Sequence, residues 1–166
     1  MSAKPPDELG LRMRQVMRQW VTGVTVLTAR EGELMRGMTC NSFNSVSDSP
    51  PTVLVSIRQG TQTHDMVAAT QRYALTILPA AQEDLSNRFA GLQGDEAQSR
   101  FDDVPHTLSP GGLPWLVGGL GYLECRVVLA HDLGASTLFV AQVEIAEPGD
   151  AAAAPLVRFR SAYTKL

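Results

Sequence analysis

The sequence predicts a mostly β protein: a closed antiparallel barrel with helices packed on its outside and ends. Three observations point there. About six segments read as strands, and most follow one another through hairpin connections. The element order is helix, three strands, helix, strand, helix, long loop, strands, which does not alternate as a doubly wound parallel sheet would. No Gly-x-Gly-x-x-Gly follows a strand and no Walker loop is present, so nucleotide binding of those classes is excluded.

Each element has a local reason. Apolar residues at Leu9, Met13, Val16, Met17 and Trp20 recur at helical spacing, which predicts an amphipathic helix after Pro5 and Pro6. Arg12, Arg14 and Arg18 fall off that face. Val21 to Ala29 is dense in β-branched residues and reads as a strand. Glu31-Gly32 turns it into a second strand, Met35 to Phe43. Pro50-Pro51 opens a third, Thr52 to Arg58. After a polar turn, Thr61 or Thr63 caps a short helix running to about Thr70. Tyr73 to Leu78 reads as a strand and Gln82 to Ala90 as a helix. Residues 91 to 114 read as a long loop of the functional or mobile kind. Leu120 to His131 and Thr137 to Ile145 are long alternating strands. An Ala-rich turn, Pro148 to Pro155, leads to a last short strand, Leu156 to Arg160.

The chain has 166 residues, of which 44% are apolar and 19% charged, enough for a real core in a single domain spanning 1–166 with a flexible arm over 1–8. The formal net charge of -3 argues against a nucleic-acid footprint. No apolar run reaches the roughly 18 residues of a membrane span, and the N-terminus lacks a signal-peptide hydrophobic stretch. Cys40 and Cys125 belong to no metal-spaced pair and read as two reduced, buried thiols of a cytoplasmic protein.

The most informative stretch is Gly37 to Pro51. From Thr39 to Ser47, six of nine residues are small hydrogen-bonding types and none is charged. A core strand would not carry so many hydroxyls and amides, because each buried one needs a partner. An ordinary loop would carry charge. The composition suits a wall that hydrogen-bonds a flat, polar-edged ligand. Side-chain catalysis finds no support. His64, His106 and His131 lie in no nucleophile or metal motif and read as structural or surface residues. No two candidate metal ligands share a usable spacing. Glu83-Asp84 and Asp102-Asp103 read as solvated carboxylates, and Asp95 and Glu96 as surface partners of Arg100. A cofactor that carries the chemistry itself fits this absence. A flavin needs an uncharged donor and acceptor edge, which Thr39 to Ser47 supplies. Its phosphate tail needs hydroxyls and N–H groups near a helix start, which Gln59 to Thr63 supplies.

Thr22-Gly23-Val24-Thr25-Val26-Leu27-Thr28 and the long run from Gly37 to Pro51 resemble the motifs of the flavin reductase-like family, the small reductase components of two-component flavin monooxygenases. Weaker matches follow at Gln82, Phe89-Ala90-Gly91, Arg100-Phe101, Leu123-Glu124-Cys125, Pro155-Leu156-Val157 and Tyr163. The resemblance implies an FMN-binding split barrel of Greek-key type, and a homodimer with flavin near the subunit interface. It implies that Thr39, Asn41, Ser42, Ser45 and Ser47, with the backbone of Cys40 and Val46, line the ring and ribityl chain. Ser56, Arg58, Thr61 and Thr63 would lie near the phosphate, and Gly23 and Val24 near the reactive face, where nicotinamide stacks; Tyr163 belongs to the same substrate side. The implied reaction is hydride transfer from NAD(P)H to FMN or FAD, with no catalytic side chain, and the implied partner is a monooxygenase that receives reduced flavin.

One departure stands out. Where the family carries Gly-Asp-His, this chain reads Gly134-Ala135-Ser136, and Gln142 replaces a glutamate. In the family the histidine is associated with nicotinamide binding and hydride transfer. Ser136 then either takes over a hydrogen-bonding role in a working reductase, or marks a different task. The alternatives are a flavin-bound oxidoreductase acting directly on an organic substrate, or a non-catalytic flavin-binding partner.

Overall fold

The computed structural model describes residues 7–92 and 100–164. The proposed surface pairs of Asp95 and Glu96 lie outside the described residues, as does the N-terminal arm up to residue 6. Of the residues expected in that arm, Asp7 caps helix α1 (Glu8–Met17) and Glu8 begins it: the Asp7 carboxylate accepts the Gly10 N–H at 2.8 Å. No residue of α1 is buried, and Leu9, Met13 and Val16 are 74%, 60% and 69% exposed.

The single strand expected over Val21–Ala29 is two strands, β1 (Thr22–Gly23) and β2 (Thr25–Glu31). Val24 between them donates its N–H to the Leu156 carbonyl and accepts that of Leu78, so the chain changes sheets at this residue. Gly32, at φ 59°, turns β2 into β3 (Leu34–Cys40). The polar stretch after it contains a strand the sequence reading left out, β4 (Asn44–Asp48), which pairs with β5 (Pro51–Arg58). Ser and Asn are poor strand formers, so an exposed edge strand built from them carries no apolar alternation to read. Helix α2 (Gln62–Thr70), β6 (Arg72–Ile77), a 3-10 turn (Ala80–Gln82) and α3 (Glu83–Phe89) follow. The expected long loop holds a small hairpin, β7 (His106–Leu108) with β8 (Pro114–Leu116). Then come β9 (Gly121–Asp132) and β10 (Ser136–Pro148). The last expected strand is a hairpin, β11 (Val157–Phe159) and β12 (Ala162–Thr164), because Arg160 and Ser161 both take positive φ and reverse the chain.

Seven strands form one antiparallel sheet in the order β3-β2-β6-β9-β10-β5-β4. Strands β1, β11 and β12 form a separate three-stranded sheet. Inside the large sheet, Leu27, Val55, Ile57, Tyr73, Leu75, Cys125 and Phe139 are fully or almost fully buried, and Met66 and Val67 of α2 pack into the same core. Burial pushes the thiols of Cys40 and Cys125 upward, Cys125 to about 12, so both are inert, unpaired core groups. The other face of β2 is also covered: Val24 and Val26 pack with Leu78, Phe89, Phe101 and Leu116. Two buried faces explain why β2 carries no charge and shows no apolar–polar alternation from Thr25 to Ala29, all five of which are buried.

The buried Glu124 carboxylate fastens the long loop to the barrel. It pairs with the Arg72 guanidinium and accepts from the Ser109 hydroxyl and the Gly111 N–H. On the opposite flank, Arg100 donates to the carbonyls of Gly37 and Phe89. Gly37 itself is required by packing: a Cβ there would sit 2.7 Å from the Phe89 ring, which is fully buried and cannot retreat. Gly37→Ala is expected to lower the unfolding free energy by about 1–3 kcal/mol through overpacking, measured as a shift in the urea midpoint at constant slope.

Candidate functional site

Strand β3 leaves the sheet after Cys40, and the residues that follow close a gap. No ladder joins β3 to β4 or β5 among the described residues. Instead the Ser42 hydroxyl donates to the Ser56 carbonyl at 2.8 Å and accepts the Ser56 N–H at 3.1 Å. One side chain thus performs the two-bond exchange that a neighbouring strand would make. Cys40 is buried and its Sγ lies 3.1 Å from Ser42 Oγ. Thr39 is likewise engaged, donating from Oγ1 to the Ser86 carbonyl on α3 at 2.5 Å.

The polar wall therefore divides by task. Thr39 and Ser42 hold the protein together, and Ser47 Oγ accepts the Ser49 N–H at 3.2 Å. Asn41 and Ser45 are exposed and have no protein partner among the described residues, so they are free to bond a ligand. Val46 sits at a β-bulge, where the register of β4 on β5 shifts between Ser45 and Ser47, and is 53% exposed.

The bridge to Ser56 brings the second half of the site alongside. Two residues on, β5 ends at Arg58, which is exposed. Gly60 at φ 74° turns the chain, and Thr61 caps α2: its Oγ1 accepts the His64 N–H at 3.2 Å and donates to the Arg58 carbonyl at 3.1 Å. Helix α2 therefore starts at Gln62, on the turn that follows Arg58. Thr63 is 4% exposed, the least accessible of the four residues expected near a phosphate. Ser136 opens β10 directly opposite Arg58, and the Ala135 carbonyl accepts the Gln59 N–H at 3.1 Å. The departure from the family motif thus stands at the turn before α2.

His64 has a structural part that the sequence alone does not show. Its Nε2 lies 2.9 Å from Thr137 Oγ1, which also accepts from Gln59 Nε2 at 3.2 Å, and its Nδ1 lies 2.9 Å from Asp65. This chain of bonds locks α2 onto β10 next to Ser136.

At the other end of the rim, Val24, Thr39, Asn41 and Tyr163 line a cleft of about 220 Å3 together with Ala90 and Arg158. The Tyr163 hydroxyl lies 2.8 Å from Ser86 Oγ. Gly23 adjoins Val24, is exposed, and a Cβ built on it meets no atom within 4 Å. Its lack of a side chain thus answers no crowding within the chain itself. Ser86 and Arg158 escape the sequence reading; the one available signal was a cation inside the otherwise apolar start of the last strand. A larger recess of about 330 Å3, lined by Arg30, Arg72 and Gly111 among others, holds none of the expected site residues. Its arginines already bond Gly32, Gly112, Gly111 and Glu124.

A split antiparallel barrel whose rim is polar, uncharged along one wall and without an acid–base constellation belongs to the class of small flavin-dependent oxidoreductases. The family described as the flavin reductase-like domain matches residues 17–166, and the chain belongs to it. An NADH-dependent flavin reductase of Rhodococcus is 37% identical over 142 residues, covering 84% of this chain and 77% of the relative. An NADH:FAD oxidoreductase of Streptomyces globisporus superposes with a TM-score of 0.86 at 31% identity, over 100% of this chain and 97% of the other. The flavin reductase of a styrene monooxygenase from Pseudomonas putida gives a TM-score of 0.82 at 32% identity, over 93% and 97%.

The Ser42 bridge is the feature of the site most open to direct test. Ser42→Ala leaves a half-buried N–H and carbonyl of Ser56 without their partner. A loss of about 1–3 kcal/mol in unfolding free energy is expected, read from urea denaturation.

Proposed function

We propose that this chain is an NAD(P)H-dependent flavin reductase that supplies reduced FMN or FAD to a separate monooxygenase. The observation that carries the reading is the juxtaposition across the Ser42–Ser56 bond: the uncharged wall of Asn41 and Ser45 on one side, the helix-capping turn with Arg58 and Thr61 on the other. Bound flavin supplies a ring that accepts hydride. The residues bind and orient it. Asn41, Ser45 and the backbone around Cys40 and Val46 meet the polar edge of the ring, while Ser56, Arg58, Thr61 and the N–H groups of α2 receive the phosphate. Gly23 leaves the hydride donor room to stack beside Val24. That the relatives are named as NADH-dependent flavin reductases favours this reading over direct action on an organic substrate.

The chain acts as a homodimer in this reading. An isolated helix with no buried residue has little to hold it in water, yet α1 presents Leu9, Met13 and Val16 to solvent, and Trp20 just beyond it is exposed too. A second copy covering this face supplies the missing burial. Light scattering after gel filtration is expected to give twice the 17.9 kDa chain mass, and Val16→Glu to give a monomer. A monomeric parent protein overturns the proposal. Two unpaired, buried thiols suit a reducing, cytoplasmic compartment. No helix among the described residues is long and apolar enough to cross a membrane.

Steady-state assay of the purified protein with FMN or FAD and NADH or NADPH tests the activity. Nucleotide oxidation no faster than the free-flavin background refutes it. Gly23→Ala is expected to keep the parent's urea midpoint, since its Cβ meets nothing within 4 Å, while slowing flavin reduction at least roughly tenfold by displacing the donor.

A further inference from the structure

The small sheet of β1, β11 and β12 turns one face to the cleft. Across it Thr22 pairs with Arg158, and Arg158 pairs with Tyr163, so the three side chains stand in a row on that face. Two of the three lack the partners that their chemistry requires. Arg158 is half-buried, with its guanidinium carbon 5.6 Å from the centre of the Tyr163 ring, and no carboxylate or carbonyl among the described residues bonds it. Thr22 Oγ1 is buried without a hydrogen-bond partner among the described residues. Arg12, Arg72 and Arg126 pair with Glu8, Glu124 and Glu144, whereas the other unpaired arginines, Arg14, Arg18 and Arg58, are exposed and line neither cleft. Of the three residues in the row, Arg158 and Tyr163 line the cleft, and a half-buried cation without a counter-ion there costs free energy unless a ligand supplies the anion.

We infer that Arg158, resting on the Tyr163 ring, forms a subsite for a nucleotide phosphate, filled by the dinucleotide that donates hydride. This rests on the reductase reading given above. Guanidinium offers phosphate a planar fork of donors while one face stays on an aromatic ring, which is the arrangement Tyr163 provides. The Ser86 contact fixes Tyr163 and thereby the plane on which Arg158 rests. Gly23, paired with Val157 next to Arg158, sets the stacking position beside the subsite, so a donor seated there extends its phosphates over β11. The turn before α2 serves the flavin phosphate at the opposite end of the rim, leaving this cation for a second phosphate-bearing group. That group is the nicotinamide nucleotide or the adenylate half of FAD, which share the chemistry.

The test compares the parent protein with Arg158→Gln at saturating FMN, using NADH and the phosphate-free donor 1-benzyl-1,4-dihydronicotinamide. Loss of a charge-assisted contact is expected to raise KM for NADH about tenfold or more, with kcat within about twofold and KM for the phosphate-free donor unchanged. A weakened affinity for FAD but not FMN, with KM for NADH unchanged, assigns the subsite to the flavin adenylate instead and overturns its assignment to the donor. Unchanged values throughout, or equal rises for both donors, overturn the phosphate subsite itself. If the parent oxidises neither donor, the reductase reading falls, and titration of ADP into flavin-loaded protein still decides the subsite: weaker binding to Arg158→Gln supports it, equal binding overturns it. If Arg158→Gln does not fold, ionic strength replaces it. KM of the parent for NADH then rises with salt and that for the phosphate-free donor does not; parallel behaviour overturns the proposal.

Discussion

The hydroxyl of Ser42 stands where the seven-stranded sheet fails to close. Both ends of that sheet, β3 and β4, arrive from the same short stretch of chain, so a ladder between β3 and β5 would leave no room for the residues that join them. A side chain takes its place, accepting and donating at one residue of β5. Because the bond reaches the end of β5, it also sets where the turn before α2 begins. The wall and the turn become neighbours through this contact, and every arrangement proposed for a flavin depends on their spacing.

A second constraint fixes the opposite end of the rim. Val24 belongs to neither sheet, yet its backbone bonds to both Leu156 and Leu78. Its side chain is buried against Phe89 and Leu116, while its neighbour Gly23 faces open space. Strong packing on one residue and none on the next is how the fold holds a vacant surface rigidly. Helix α3 takes part from behind, since its Ser86 meets both Thr39 and Tyr163. Thr39 of β3 and Tyr163 of β12, which both line the cleft, are thus tied to one buried serine behind it.

Much of this was legible in the sequence, for particular reasons. The barrel strands announced themselves through β-branched runs, and α2 through its Thr61 cap. The wall showed because nine residues with six small polar groups and no charge fit neither core nor ordinary loop. Three things were not legible. Strand β4 was hidden because its pairing rests on backbone bonds rather than apolar side chains. The β11–β12 hairpin was hidden because Arg160 and Ser161 hold positive φ without a glycine to mark it. The division of the wall into structural and free hydroxyls needed coordinates, since composition does not say which oxygen meets a carbonyl. Thr39 and Ser42 read as ligand contacts by type, and geometry gives their hydroxyls to Ser86 and Ser56.

The rim also separates two questions that the sequence presented as one. In the proposed site, which cofactor binds is a matter for the wall and the capping turn, where the one charge is the exposed Arg58. What reacts with it depends on the two ends. At one end Ser136 stands opposite Arg58, braced by Gln59, Thr137 and His64, so a change of residue there alters the surroundings of the turn as much as those of an incoming donor. At the other end Arg158 lines the cleft beside the open face of Gly23. On the subsite proposed at Arg158, a chain with serine rather than histidine at 136 would hold its donor by a charge at the second end instead of the first. Loss at one site and gain at the other would then be one adjustment, in which the proposed donor is held more by its phosphates and less by its ring.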